Sequence, residues 1–395
     1  MENLKIVHIA LVGGQTMPVY LAIRESKATH YIFIHSSTTF SQAKKLAEDT
    51  QAEKGSTVEL KEIDPLDYTL IIEELDNVIS KYNEYIIEAN ISSGTKPWSI
   101  AFSKLSVKYD NVQLIYVDQN NFIYNYKTLS KKEIPNLEGG IKQILRYNQS
   151  EADKYKYVNL DEYTLDDEKS LKTISFIRGK YGSDFKALTD INKDDDGGIE
   201  DNPRLDGSGM RSRYASSMEW ERNYVNDNGE DVQSVKFDFI DKRGVPKSFI
   251  LESPHALDLV INNHWFEYEV ATILKEWSSC VEVWLNVEMS YKTNQTKNEI
   301  DIIVSTGKKL LFVECKTKVK HPNDIDKFRS VVKNYGKLGA KSLFINKYYM
   351  GSDAENKCDD FDIIHFSLTD ERNVPVPPHK LYELLDSKMQ INNTR

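Results

Sequence analysis

The chain has 395 residues, 40% hydrophobic and 28% charged, the balance of an ordinary globular protein long enough for two or three domains. Its net charge of −10 excludes a basic footprint over the whole protein, so any nucleic acid must be held by local charge. No run approaches the roughly 20 apolar residues of a membrane span, the N-terminus lacks a basic leader, and the three scattered cysteines form neither a disulfide framework nor a zinc pattern, so a reducing cytoplasm away from membranes is expected.

Residues 1–147 read as an α/β domain. An apolar strand, LKIVHIALVG, runs into Gly13-Gly14, and a second, THYIFIHSS, ends in Ser36-Ser37-Thr38-Thr39. FSQAKKLAEDTQAEK has helical spacing, and Tyr68–Tyr82 predicts another helix. The strand EYIIEANIS follows. Ser92-Ser93-Gly94-Thr95-Lys96 then opens a helix with Pro97 in its first turn, where proline is tolerated. NVQLIYVDQNN is a further strand. Alternating strands and helices predict crossover units and a largely parallel sheet.

Residues 148–245 are strongly polar and read as a connector, with the helical stretch DDEKSLKTISFIRGKYG and exposed loops. The acidic loop at Asp194-Asp195-Asp196-Gly197-Gly198 resembles a calcium loop only superficially, because Asp195 stands where such loops need glycine. Residues 246–395 read as a second α/β unit. Its strands are VEVWLNVEMSY, EIDIIVS, KLLFVECKTK and AKSLFINKYY, and its helices HWFEYEVATILKEW and NDIDKFRSVVKNYGKLG.

Gly307-Lys308 fits a two-residue hairpin loop with glycine at its first position. Counting outward, Thr306 faces Lys309, Val304 faces Leu311 and Asp301 faces Glu314. Facing residues share one side of the sheet with Cβ atoms roughly 4.5–5.5 Å apart. Alternation puts Lys316 on that side and Cys315 on the other. Two facing carboxylates repel unless a cation lies between them, and a hard ion, Mn²⁺ or Mg²⁺, suits oxygen ligands. The ion would polarise a phosphodiester, with Lys316 orienting water or stabilising developing charge. Apolar neighbours on both faces, Ile302, Ile303, Phe312 and Val313, predict an interior hairpin, where charge needs a reason.

These residues resemble the PD-(D/E)xK nucleases, with Asp301 as the D and Glu314-Cys315-Lys316 as the ExK. The helix upstream presents an apolar stripe, Phe266, Val270, Ile273 or Leu274, and Trp277, with Glu267 at its edge. The resemblance implies a helix glutamate as an additional metal ligand beside Asp301 and Glu314; Glu267 is the candidate and Glu269 the alternative. Lys318 and Lys333 are read as surface lysines.

Three turns of the first domain are rich in glycine and hydroxyl groups: Gly13-Gly14-Gln15-Thr16-Met17, Ser36-Ser37-Thr38 and Ser92 to Lys96. All follow strands whose carboxyl ends should share one edge, where open α/β sheets bind ligands. Glycine admits close backbone approach, hydroxyls donate hydrogen bonds, and a helix N-terminus with Lys96 favours an anion, so a phosphate-bearing ligand is expected. Neither GxGxxG nor a P-loop is present, which disfavours NAD and ATP.

The segments VGGQTMPVYLAI and ISSGTKPWSIAF resemble a CARF domain, the cyclic-oligoadenylate sensor of type III CRISPR systems. A Rossmann-like CARF domain, a small winged-helix-like connector and a restriction-endonuclease-like domain together resemble the accessory nucleases switched on by cyclic tetra-adenylate. The resemblance implies a homodimer clasping one ring, with Gly14, Gln15, Thr16, Met17, Ser36, Thr38, Ser92, Ser93, Gly94, Thr95 and Lys96 at the ligand, and Asp118 and Asn120 as further candidates. It implies cutting of single-stranded DNA or RNA and nicking of duplex DNA. Two rivals are a CARF-controlled nucleic-acid-binding regulator without catalysis, which needs no acid–lysine trio, and a restriction-like nuclease without nucleotide control, which needs no glycine-rich strand ends.

Overall fold

A computed structural model describes residues 5–389 apart from 138–139, 148–155, 190–205, 212–215, 227, 242, 261–263, 291–296, 320–322 and 337–339. The acidic loop at 194–198 lies outside the described residues. The chain divides into two compact units. The first comprises 1–154 with 305–310 and 330–341; the second comprises 155–304, 311–329 and 342–395.

The first unit carries β1 (Ile6–Leu11), α1 (Met17–Glu25), β2 (His30–His35), α2 (Phe40–Lys54), β3 (Thr57–Glu62), α3 (Tyr68–Ser80), β4 (Ile86–Asn90), α4 (Lys96–Lys108), β5 (Val112–Val117), β6 (Phe122–Asn125), β7 (Ser130–Glu133) and α5 (Gly140–Tyr147). The sheet order is β3-β2-β1-β4-β5-β6-β7. The first five strands are parallel and the last two antiparallel. Val7, Ile9, Leu11, Ile32 and Ile34 are buried, as expected of central strands covered on both faces. Asp67 accepts the Thr69 and Leu70 amides and so starts α3; Gly55, at φ +61°, ends α2. The order reverses at β1, so the crevice between the ends of β1 and β4 is the switch point of the sheet. The edge strands β3 and β7 were not anticipated, because TVELKE and SKKE carry little apolar signal.

The second unit carries β8 (Lys156–Asn159), α6 (Leu165–Thr189), β9 (Asp206–Arg211), β10 (Ser216–Val225), β11 (Asp231–Ile240), β12 (Pro246–Ser253), α7 (Ala256–Val260), α8 (His264–Lys275), β13 (Glu282–Ser290), β14 (Lys297–Ser305), β15 (Leu310–Lys316), α9 (Asn323–Tyr335), β16 (Lys341–Asn346), α10 (Ser352–Asp360), β17 (Ile364–Ser367) and α11 (Pro378–Met389), the ends of β14, β15, α9 and β16 counting with the first. A six-stranded sheet runs β17-β16-β15-β14-β13-β8, and a four-stranded antiparallel sheet runs β12-β11-β10-β9.

Residues 148–245, expected to form a connector, carry the helix α6 and the strands β8 to β11, and β12, which completes the antiparallel sheet, begins at Pro246. In β10, Ser216, Met218 and Trp220 are buried while Glu219 and Glu221 face water. This period of two is masked in the sequence by its charged half. Ile174, Ile177 and Phe185 of α6 and Phe237 of β11 share one apolar core with Phe266, Val270 and Leu274 of α8 and Ile302, Val304 and Val313 of β14 and β15. Among the described residues, no helix is long and apolar enough to cross a membrane.

Candidate functional site

Strands β14 and β15 form the expected hairpin. The Thr306 amide donates to the Lys309 carbonyl at 3.0 Å across the two-residue turn, and Gly307 has φ +76°. Around the strands, Ile302, Ile303, Val304, Leu311, Phe312 and Val313 are fully buried. At roughly 1.5–3 kcal/mol for each large apolar side chain buried, this packing holds the polar groups between them in place.

On this scaffold Lys316 Nζ lies 2.5 Å from Glu314 Oε1 and 4.0 Å from Asp301 Oδ2. The Cys315 amide donates to Asp301 Oδ2 at 2.7 Å, which fixes that carboxylate against the neighbouring strand. Glu267 sits on α8, and its Oε2 is buried without a hydrogen-bond partner among the described residues. Burial, then the charges of Asp301 and Glu299, push the Glu267 carboxyl well above the usual range. Burial also raises Asp301. Burial and then Asp301 push Glu314 up to about 7. Burial opposes the charge on Lys316, but Asp301 and Glu314 outweigh it and hold the ammonium more firmly protonated than usual. Half-buried acids thus gather near one cation, an excess of negative charge that a divalent ion would relieve.

Of the two helix glutamates, Glu267 carries the electrostatic coupling to Asp301 and Glu314. Glu269 instead accepts from Lys347 Nζ at 2.5 Å. The Lys347 amide in turn donates to the Lys316 carbonyl at 3.0 Å, so a second lysine stands just past the end of β16 beside the cluster. Glu299 was not anticipated. It lies two residues before Asp301 on β14, hence on the same face, and the alternation in Glu299-Ile300-Asp301 was the signal for it. Lys318 and Lys333 are exposed. Among the described residues, no three His, Cys, Asp or Glu side chains stand close enough to enclose a metal ion. The Lys316 ammonium lies where the carboxylates meet.

In the first unit the glycine- and hydroxyl-rich turns meet at the switch point. The Gly13 amide donates to Ser93 Oγ at 3.1 Å. A Cβ at Gly13 would stand 2.6 Å from the Gly94 nitrogen, so the two turns interlock only with glycine there. A cavity of about 260 Å³ opens at this edge, with Gln15, Met17, Ser92, Asp118, Lys308 and Lys309 among its walls.

Several of the expected ligand residues make hydrogen bonds within the scaffold. Thr16 is buried and its hydroxyl donates to the Tyr147 carbonyl at 2.5 Å. Ser36 Oγ bonds Thr38 and Thr39 within their own turn. Thr95 donates to the Pro65 carbonyl. Gly94, at φ +84°, packs against Leu11 and Trp98. Gly14 and Lys96 are exposed. Asp118 caps its own turn through the Asn120 and Phe122 amides, while Asn120 Oδ1 accepts from Lys309.

Residues 7–163 match the Card1 CARF domain family, and residues 257–355 match the Card1-like endonuclease domain family. The chain joins a CARF domain to a Card1-like endonuclease domain. The endonuclease match contains Glu267, Glu299, Asp301, Glu314, Lys316 and Lys347; the CARF match contains every turn described at the switch point. Among solved structures, Can2 from Sulfobacillus thermosulfidooxidans, in complex with cyclic tetra-adenylate, is similar over 97% of this chain and 99% of its own (TM-score 0.64, 17% identity). VC1899 from Vibrio cholerae is similar over 98% and 97% (TM-score 0.67, 14% identity). A type III CRISPR defence DNA nuclease activated by cyclic oligoadenylate is similar over all of this chain and 53% of its own (TM-score 0.54, 14% identity). At these identities the likeness shows the fold. No curated protein matches the chain by sequence.

Proposed function

We propose that this CARF endonuclease is switched on by a cyclic oligoadenylate and hydrolyses phosphodiester bonds in type III CRISPR antiviral defence. The observation that carries the reading is the convergence of Asp301, Glu314 and Lys316 on one face of a buried hairpin, with Glu267 beside them. A regulator that only bound nucleic acid would have no use for half-buried acids held against a lysine. The Oε2 of Glu267, buried and without a hydrogen-bond partner among the described residues, and the raised Asp301 and Glu314 carboxyls are the groups that would hold a Mn²⁺ or Mg²⁺ ion once drawn inward around it, since they do not enclose one as they stand. Such an ion would act as a Lewis acid on the scissile phosphate and make water a better nucleophile. Lys316 orients the attacking water and steadies the charge that builds on the phosphate oxygens. Asp301, tied to the Cys315 amide, holds its carboxylate in a fixed position.

The activator read for the CARF domain is cyclic tetra-adenylate, the ligand held by the Can2 relative. Gln15, Met17 and Ser92 line its cavity, and Lys96 offers charge at the start of α4. A ring of four identical nucleotides has two-fold symmetry, which suits a homodimer presenting the same patch twice. Leu66 and Ile100, 77% and 58% exposed, offer apolar surface for a second copy. The substrates are single-stranded DNA or RNA, with nicking of duplex DNA, in the cytoplasm. The test is incubation with labelled single-stranded DNA, RNA and supercoiled plasmid in Mn²⁺, with and without cyclic tetra- and hexa-adenylate. Ligand-dependent cutting that disappears in Glu314→Ala is expected; cutting by Glu314→Ala at the wild-type rate refutes the site.

A further inference from the structure

The tip of the catalytic hairpin, residues 305–310, belongs to the compact unit that holds the ligand cavity. It is held there by several bonds. The Leu137 amide donates to the Gly307 carbonyl at 2.9 Å. Asn121 Nδ2 donates to the Lys308 carbonyl at 3.4 Å, Lys309 Nζ donates to Asn120 Oδ1 at 3.3 Å, and Lys308 pairs with Glu133. The fit is tight, since a Cβ on Gly307 would fall 2.6 Å from the Asn136 side chain. Lys308 and Lys309 form part of the cavity wall together with Gln15, Met17, Ser92 and Asp118.

Lysines gathered at a concave wall make a place for an anion. Lys309 is partly buried, and burial followed by the positive charges of Lys341 and Lys308 makes its ammonium easier to deprotonate than usual, with Asp118 opposing. An incoming phosphate would relieve that repulsion. At about 260 Å³ the cavity falls below the roughly 300–1,000 Å³ of sites for whole drug-sized ligands. It therefore suits one nucleotide of a larger ring.

Building on the functional reading above, we propose that the turn of the catalytic hairpin is itself part of the ligand site. Lys309, flanked by Lys308, takes a phosphate of the bound oligoadenylate, and ligand binding acts on the acidic cluster through the backbone of β14 and β15. From Lys309 to Glu314 the path is five residues of strand, about 17 Å at the usual rise. A strand is a stiff link, so movement of the turn passes to the carboxylates without an intervening loop.

The test is calorimetric titration of the full-length protein and its variants with cyclic tetra-adenylate. Lys309→Gln is expected to bind at least tenfold more weakly, the Lys308→Gln/Lys309→Gln pair more weakly again and with a shallower salt dependence, and Lys309→Arg near the wild-type level. Wild-type affinity in the double variant overturns the proposal. Hydrogen exchange on the wild-type protein reads the same point without substitution: added ring nucleotide should slow exchange at the amides of 308–311, and unchanged exchange there also overturns it. A wild-type protein that binds no ring nucleotide would instead refute the functional reading, and this inference with it.

Discussion

The Glu314 carboxyl is held against its own charge. Its carboxyl titrates at about 7 against an ordinary 4.5, because burial and the charge of Asp301 outweigh the help from Lys316. Without metal, between those two pH values the folded chain holds a proton here that the unfolded chain has lost. Stability therefore falls as pH rises through that window and stays low above it. At about 1.4 kcal/mol per pH unit, the gap between 4.5 and about 7 corresponds to about 3 kcal/mol. Glu314→Gln keeps the side-chain size and removes the titration. In chelator at pH 8 the variant should be more stable by about 3 kcal/mol, raising the melting temperature of the endonuclease transition by roughly 6–12 °C for a unit of this size. Near pH 4.5 the two proteins should coincide, and the variant should not cut at any pH. Chemical denaturation and calorimetry at several pH values read the difference. Equal stability at pH 8, or a gap undiminished at pH 4.5, would refute the claim that Glu314 is held against its own charge.

Other outcomes follow from the same geometry. Asp301→Ala should abolish Mn²⁺-dependent cutting while leaving cyclic tetra-adenylate affinity within twofold, as read by parallel cleavage and titration. Because protons compete with metal for the raised carboxyls of Asp301, Glu314 and Glu267, the Mn²⁺ concentration for half-maximal cutting should fall as pH rises from 6 to 8, and Glu267→Gln should raise it at least tenfold. Gly307→Ala should cost about 1–3 kcal/mol for a side chain forced to positive φ, with more for the collision with Asn136; adding Asn136→Ala should recover only the collision, as measured by denaturant midpoint. Lys96→Ala should raise the activator concentration needed for half-maximal cutting, and an unchanged activation curve would remove Lys96 from the ligand surface.

The hairpin of β14 and β15 was legible because everything needed to bring Asp301, Glu314 and Lys316 together is local: a two-residue turn, a strand period of two and an apolar run on either side. Glu299 obeys the same rule, one strand period beyond Asp301 as the register is counted outward from the turn. The ligand site was less legible, since glycine- and hydroxyl-rich turns serve scaffolding as readily as binding. Thr16 and Thr95 spend their hydroxyls on the carbonyls of Tyr147 and Pro65, 131 and 30 residues away, which no local pattern reveals. Lys308 and Lys309 stood in plain view at the hairpin turn, but their place beside Gln15 and Ser92 is set by tertiary packing. The sheet from β9 to β12 was hidden for another reason: its buried residues alternate with so many charges that average polarity suggested loops.

The single apolar core running from Leu160 to Met389 has a practical corollary for dissecting the enzyme. A fragment cut at residue 246, where the motif-bearing half begins by eye, would strip away Ile174, Ile177, Trp220 and Phe237 and leave α8 with a bare greasy flank. Such a fragment should aggregate on expression and be mistaken for an inactive nuclease. One starting near residue 155 would keep that flank covered, and is the shorter piece from which catalysis without the sensor can fairly be sought.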